Sequence, residues 1–207
     1  MRTTHLVAFA AMSLITAFAP LSAVAGDFEI TPFAGYTWGG EFSDSVTSTS
    51  LKVDETANYG VIVGVKQDEQ RQIELYFSRQ STQLKADNGL FTGKPLFDLD
   101  IEYYHLGGTY SADSGKARPF AVGTFGVTHM VPQGPGLDAE TKFSLSLGGG
   151  VKLFATDRVG LRLEARWFGT LFNGSGSAFC TSGTCAINVQ GDLFSQFVTN
   201  AGVFVSF

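Results

Sequence analysis

Between Phe28 and Phe207 the chain holds eight runs in which apolar and polar side chains alternate, and a run with period two forms a strand that has one apolar face. In the first run, Phe28, Ile30, Pro32, Ala34, Tyr36 and Trp38 share one parity, against Glu29, Thr31, Gly35, Thr37 and Gly39. A second sets Ala57, Tyr59, Val61, Val63 and Val65 against Asn58, Gly60, Gly64 and Lys66. A third sets Ile73, Leu75 and Phe77 against Glu74, Tyr76, Ser78 and Gln80, and a fourth sets Leu99, Ile101 and Tyr103 against Asp100, Glu102 and Tyr104.

The fifth run, Arg118 to Met130, holds Phe120, Val122, Phe125 and Val127, whose parity switches midway, so a bulge is expected around Gly123. In the sixth, Phe143, Leu145, Leu147, Val151 and Leu153 oppose Lys142, Ser144, Ser146, Gly148, Gly150 and Lys152. The seventh opposes Val159, Leu161, Leu163, Ala165 and Trp167 to Arg162, Glu164 and Arg166. The eighth carries Phe197, Thr199, Ala201, Val203, Val205 and Phe207 against Gln196, Asn200, Gly202 and Ser206.

Long connections (41–55, 85–95, 131–141, 172–190) alternate with short ones (67–71, 111–117, 155–158), which puts long loops on one rim and tight turns on the other. Eight such strands predict an all-β domain, an antiparallel up-and-down transmembrane β-barrel. Alternation alone does not say whether the apolar face meets lipid or a core. Three features favour lipid. The polar parity mixes Glu29, Lys66, Glu74, Glu102, Lys152, Arg162, Glu164 and Arg166 with Gly and Ser, a set that can pair across a narrow lumen. Tyr36, Trp38, Tyr59, Tyr103 and Trp167 lie on the apolar parity near strand ends, where amphipathic rings sit at headgroup level. The final strand ends on Phe207, an arrangement that resembles the assembly signal of outer-membrane barrels.

The segment before these runs reads as a cleaved signal peptide: Arg2, then an apolar stretch from Leu6 to Phe18, then Pro20 and Ala23-Val24-Ala25. Residues 1–25 are therefore expected to be removed, leaving 26–207 as one barrel domain. Past that segment no apolar run approaches the 18 to 20 residues of a membrane helix. Charged residues are 16% of the chain, against about 25% in soluble domains, and the basic ones are scattered singly, which argues against nucleic acid as a partner. Cys180 and Cys185, four residues apart, are expected to form a disulfide in an oxidising compartment, and neither a metal nor another cofactor is expected.

Ile30-Thr31-Pro32-Phe33-Ala34-Gly35-Tyr36, Tyr103-Tyr104-His105-Leu106-Gly107-Gly108-Thr109-Tyr110 and Arg118-Pro119-Phe120 resemble segments of the outer-membrane β-barrel domain family that includes the small OmpA-like and OmpX-like barrels. The resemblance covers the mature chain. It implies the outer membrane as location, lipid and lipopolysaccharide as surroundings, the barrel assembly machinery as a transient partner and a monomeric barrel without a following periplasmic domain. It implies no reaction, because members share a barrel and differ in their loops.

The candidate site is a charge network inside the lumen: Glu74, Glu102, Lys152, Arg162, Glu164 and Arg166. Buried charge must be paired or hydrated, so the network is either a plug of ion pairs or a gate. His105 and His129 lack the His-x-Ser pattern of lipid A deacylases and have no neighbouring Asp, so no catalytic residue is assigned. The leading expectation is a non-enzymatic barrel serving envelope integrity or surface interaction through an unidentified loop ligand. A narrow, porin-like pore, a lipid-modifying enzyme and a soluble lipocalin-like barrel are the alternatives. The last is disfavoured because Gly35-Tyr36-Thr37-Trp38 is one residue too wide for the Gly-x-Trp signature.

Overall fold

The computed structural model describes residues 28–43, 50–87, 94–112, 115–134, 136–172, 176–181, 184–189 and 193–207. Residues 1–25, read above as a signal peptide, lie outside them. The strands are β1 (Phe28–Gly39), β2 (Glu41–Ser43), β3 (Ser50–Val53), β4 (Thr56–Lys66), β5 (Arg71–Asp87), β6 (Lys94–Ser111), β7 (Ala117–Gln133), β8 (Glu140–Phe154), β9 (Val159–Leu171), β10 (Gly176–Thr181), β11 (Thr184–Val189) and β12 (Leu193–Ser206). Eight of them form an antiparallel ring in the order β5, β4, β1, β12, β9, β8, β7, β6, closed by the pairing of β6 with β5. Among the described residues there is no helix long and apolar enough to cross a membrane.

Following paired residues once around the ring leads from Gln80 through Asn58, Gly35, Asn200, Glu164, Gly150, Phe120 and Ser111 to Gln70, ten residues below the start. That stagger tilts the strands and narrows the interior to what side chains can fill. The tight turns behave as read: Gln67 and Asp68 donate to the Arg71 carbonyl, and Ala155 and Thr156 donate to that of Val159. The other rim is more ordered than expected. β2 and β3 form a small hairpin whose second strand pairs with β5, and β10 pairs with β11 inside the longest connection. β5, β6 and β7 extend two or three residues into segments read as loops. Gly39 and Gly40, at φ of 77° and 108°, make the corner between β1 and β2 that a side chain would strain.

Burial settles the orientation. Glu29, Thr31, Thr37, Glu74, Lys152, Arg162, Glu164 and Arg166 are buried, while Phe28, Tyr36, Tyr59, Leu75, Leu147, Leu161 and Phe197 are exposed. The polar parity faces the lumen and the apolar parity faces out, which excludes the lipocalin-like alternative.

Two strand readings need correction. On β6 the faces are reversed: Leu99, Ile101 and Tyr103 are buried inside, whereas Tyr104 and Leu106 are exposed outside. Tyr103 is therefore no girdle residue, and Glu102 is no lumen residue. Glu102 sits on the outer face, accepting from Tyr104 and pairing with Arg79 at 3.5 Å. The cause is a change of surroundings along the strand. The long-loop half of β6 stands beyond the aromatic level, where a sheet is apolar inside and polar outside as in a soluble protein. On β7 there is no bulge at Gly123, since its pairing with β6 and β8 runs unbroken. Phe120 and Val122 point in and Phe125 and Val127 point out, so the switch marks a filled lumen at the lower end.

Candidate functional site

Arg162, Glu164 and Arg166 lie two residues apart on β9, so all three project into the lumen. Glu74 reaches them from β5, the strand diametrically opposite. Arg162 binds Glu74 at 2.9 Å and Glu164 at 2.7 Å; Arg166 binds Glu74 and Glu164, both at 2.5 Å. Two guanidinium groups and two carboxylates thus form a ring with no net charge. Thr109 donates to Glu74 at 2.7 Å and Asn200 to Glu164 at 3.3 Å. The guanidinium planes lie over aromatic rings, Arg162 above Phe120 at 4.6 Å and Arg166 above Tyr76 at 4.4 Å.

Glycine makes the room. Gly148 and Gly150 on β8 are paired with Arg166 and Glu164. A Cβ on Gly148 would stand 2.9 Å from Arg166 Cγ, and one on Gly150 would stand 2.8 Å from Phe120 Cζ. The alternation of small and long residues seen in the sequence is thus a steric fit across neighbouring strands.

Lys152 is separate from this ring. Its ammonium contacts Glu29 at 2.6 Å and Gln72 at 2.7 Å, nearer the tight turns. Glu29 was on the polar parity yet left out of the expected network, and only the closing of the barrel sets β1 and β8 face to face. Of the six expected members, four form the ring, Lys152 forms a second pair below it, and Glu102 lies outside.

Above the ring, reading up β9 and down β6, the lumen changes character. His105 is held through Nδ1 by Thr124 at 2.9 Å and through Nε2 by Ser144 at 2.8 Å, and Thr124 meets Ser146 at 2.5 Å. A His and a Ser at this distance are the beginning of a nucleophile and base pair, which the linear search for His-x-Ser missed because the two come from β6 and β8. The other ring nitrogen meets a hydroxyl where an orienting carboxylate would be needed, and both residues are buried, His105 against Phe168 and Tyr103. His129, in contrast, is on the outer face and contacts Thr141 at 2.8 Å.

Higher still, Tyr103 donates to Gln196 at 2.6 Å and packs on Phe168, with centroids 4.2 Å apart. Val53, Leu84, Leu99, Ile101, Met130, Phe172 and Phe194 then close the long-loop end with an apolar core. The lumen is a stack of an ion pair, a charge ring, a hydroxyl layer, an aromatic layer and an apolar cap. Among the described residues there is no group of three or more His, Cys, Asp or Glu able to hold a metal.

Cys180 and Cys185 stand directly across from each other in the β10–β11 register, and their side chains lie outside the described residues.

No family model matches the chain, and no curated protein does. Solved structures do. Neisserial surface protein A superposes with a TM-score of 0.59 at 16% identity, over 87% of this chain and 97% of the other. The outer membrane protein OprG of Pseudomonas aeruginosa gives 0.58 at 15% identity, over 88% and 96%. The outer membrane protein AlkL, solved in lipid bilayers, gives 0.51 at 12% identity, over 100% and 97%. The chain therefore has the fold of the small eight-stranded outer-membrane barrels.

Proposed function

We propose that this chain, an eight-stranded barrel of the outer-membrane type, resides in the bacterial outer membrane as a non-enzymatic, non-conducting monomer whose activity lies in its extracellular loops. The observation that carries this reading is the filled lumen: a neutral ring of Glu74, Arg162, Glu164 and Arg166 lies beneath a layer of Tyr103 and Phe168 and an apolar cap. Such an interior stiffens a barrel and leaves the outside for contact with other molecules.

The accessory parts of the proposal follow the same logic. Residues 1–25 act as the export signal, and Phe207, whose ring is exposed at the end of the closing strand, acts in recognition by the assembly machinery. Cys180 and Cys185, paired in register, form a disulfide that braces the longest loop. Lipid and lipopolysaccharide surround the wall, and envelope integrity or surface attachment is the role served.

The test is electrical and chemical. Folded protein in planar bilayers is expected to stay silent across the usual voltage range, and its expression is expected to leave lipid A and phospholipids unchanged. Current steps altered by Arg162→Gln would replace the plug with a narrow pore. A lipid change abolished by Ser144→Ala would make the protein an enzyme.

A further inference from the structure

The outer wall is not of even height. β5 and β9 are four strands apart in either direction around the ring, so they stand on opposite sides of it. On β9 every outward position from Val159 to Leu171 is apolar or glycine: Val159, Leu161, Leu163, Ala165, Trp167, Gly169 and Leu171. On β5 the outward apolar positions are only Ile73, Leu75 and Phe77, with Arg71 below them and Arg79, Ser81 and Gln83 above. The paired neighbours differ in the same sense at the extracellular end, although β12 also turns Ser195 and Thr199 outward. Leu171 pairs with Leu193 on β12, both about half exposed, while Ser81 pairs with Asp100 on β6.

Both sides share a common mark. Trp167 pairs with Phe197 on one side and Phe77 with Tyr104 on the other, an aromatic pair in each case. Four residues further towards the extracellular end, the first side carries Leu171 and Leu193 and the second Ser81 and Asp100. The polar groups on the second side are a built surface: Arg79 donates to Asp100 at 2.8 Å, Ser81 donates to it at 2.6 Å, and Gln83 donates to Asp98 at 2.8 Å. At the periplasmic end the difference has the same sense. Val159 faces out opposite Val205, whereas Arg71 faces out beside Tyr110 and is tied to Asp68.

A strand rises about 3.3 Å per residue, and a tilt of roughly 40° leaves about 2.5 Å of height per residue. The apolar wall on β9 then spans about 30 Å, while Arg71 and Arg79 on β5 stand about 20 Å apart, around a usual band of roughly 25 Å. Hydrocarbon matched to β9 would bury both arginines and the acidic residues beside Arg79, whereas hydrocarbon matched to β5 would leave Leu171 and Leu193 in water. A bilayer adjusts its thickness to such a mismatch at modest cost.

We propose that the partner of this uneven wall is bilayer lipid whose thickness varies around the barrel, thinned along β5 and β6 and full along β9 and β12. The inference rests on the reading that the wall lies in a membrane. Its occupant follows from continuity: Leu171 and Leu193 prolong the same apolar face that Leu161, Leu163 and Val203 present below.

Single tryptophans placed in a Trp38→Phe, Trp167→Phe background test it. Four variants, Leu171→Trp, Val159→Trp, Ser81→Trp and Glu69→Trp, would be folded into phosphatidylcholine vesicles containing lipids brominated at known depths, with heat-dependent gel mobility as the check of folding. The expected result is loss of emission for both β9 probes and unchanged emission for Ser81→Trp and Glu69→Trp. Quenching of Leu171→Trp with none of Val159→Trp would mean a tilted barrel in an even bilayer and overturn the proposal. Quenching of Ser81→Trp to the same extent as Leu171→Trp would mean a wall of even height and overturn it too. A protein that stays in solution and meets no bromine at any position would overturn the membrane reading itself. Where Leu171→Trp or Ser81→Trp does not fold, Leu193→Trp and Gln83→Trp probe the same levels.

Discussion

Glu74 and Arg166, 92 residues apart in the chain, meet at 2.5 Å near the centre of the lumen, each fully buried. Their contact ties opposite walls of the barrel together, and with Arg162 and Glu164 it leaves no net charge in the ring. Removing one member leaves a buried charge without its counterpart, and such a loss costs far more than the intact pair contributes.

Glu74→Gln is therefore expected to destabilise the folded barrel by about 3–5 kcal/mol, because both Arg162 and Arg166 lose a carboxylate. The measurement is the urea midpoint of folding in vesicles, followed by tryptophan emission or by heat-dependent gel mobility. A midpoint equal to that of the wild type would show that water replaces the carboxylate and that the ring does not brace the barrel.

Gly148→Val fills the space that Arg166 uses. The new side chain meets Arg166 and the β9 backbone, so a loss of about 1–3 kcal/mol is expected from overpacking. Gly123→Val, on the outer face, is the control; there a Cβ would meet only Leu147 at 3.5 Å. Equal effects of the two would contradict a tightly packed lumen.

Cys180 and Cys185, opposite in register, are expected to resist alkylation in protein from an oxidising compartment and to react after reduction. Cys180→Ser is expected to expose one thiol without any reductant. Two reactive thiols in unreduced wild-type protein would remove the proposed brace from the β10–β11 hairpin.

In the turn before β5, the Arg71 side chain donates to Asp68 at 2.6 Å and the Arg71 and Gln70 amides donate as well, holding the carboxyl below its ordinary value of 3.8. A carboxyl depressed in this way stabilises the turn above its unfolded value and loses the contribution as pH falls through the lower folded value. Protection of the Gln70 and Arg71 amides from exchange, taken relative to the intrinsic rate at each pH, is thus expected to fall only below about pH 4, the ordinary Asp range, and Asp68→Asn is expected to remove that acid dependence. An onset near pH 6 would point to a different group.

Much of the fold was legible because a strand has an invariant period. Once β8 and most of β9 and β12 alternated, their faces were determined even though Phe168, Phe194, Val198 and Phe204 break the polar parity, and the charged parity of β9 already placed Arg162, Glu164 and Arg166 on one side. β6 was misread because the same rule was applied across a boundary it does not cross: Leu99, Ile101 and Tyr103 are apolar, yet they fill the inside of a wall that stands clear of the aromatic level. β7 was misread for a related reason, since Phe120 and Val122 pack inside a lumen expected to be polar throughout.

The sequence by itself determined the eight barrel strands, the alternation of long and short connections and the four members of the charge ring, because these depend on local periodicity. Only the tertiary structure decided which charges touch. Lys152 meets Glu29, and Glu74 meets Arg162 and Arg166, joined across the lumen by the closing of the ring and the ten-residue stagger of its strands, while Ser144 meets His105 over Gly126 of the intervening β7. Closure is a long-range geometric condition on all eight strands at once, and no single segment carries it.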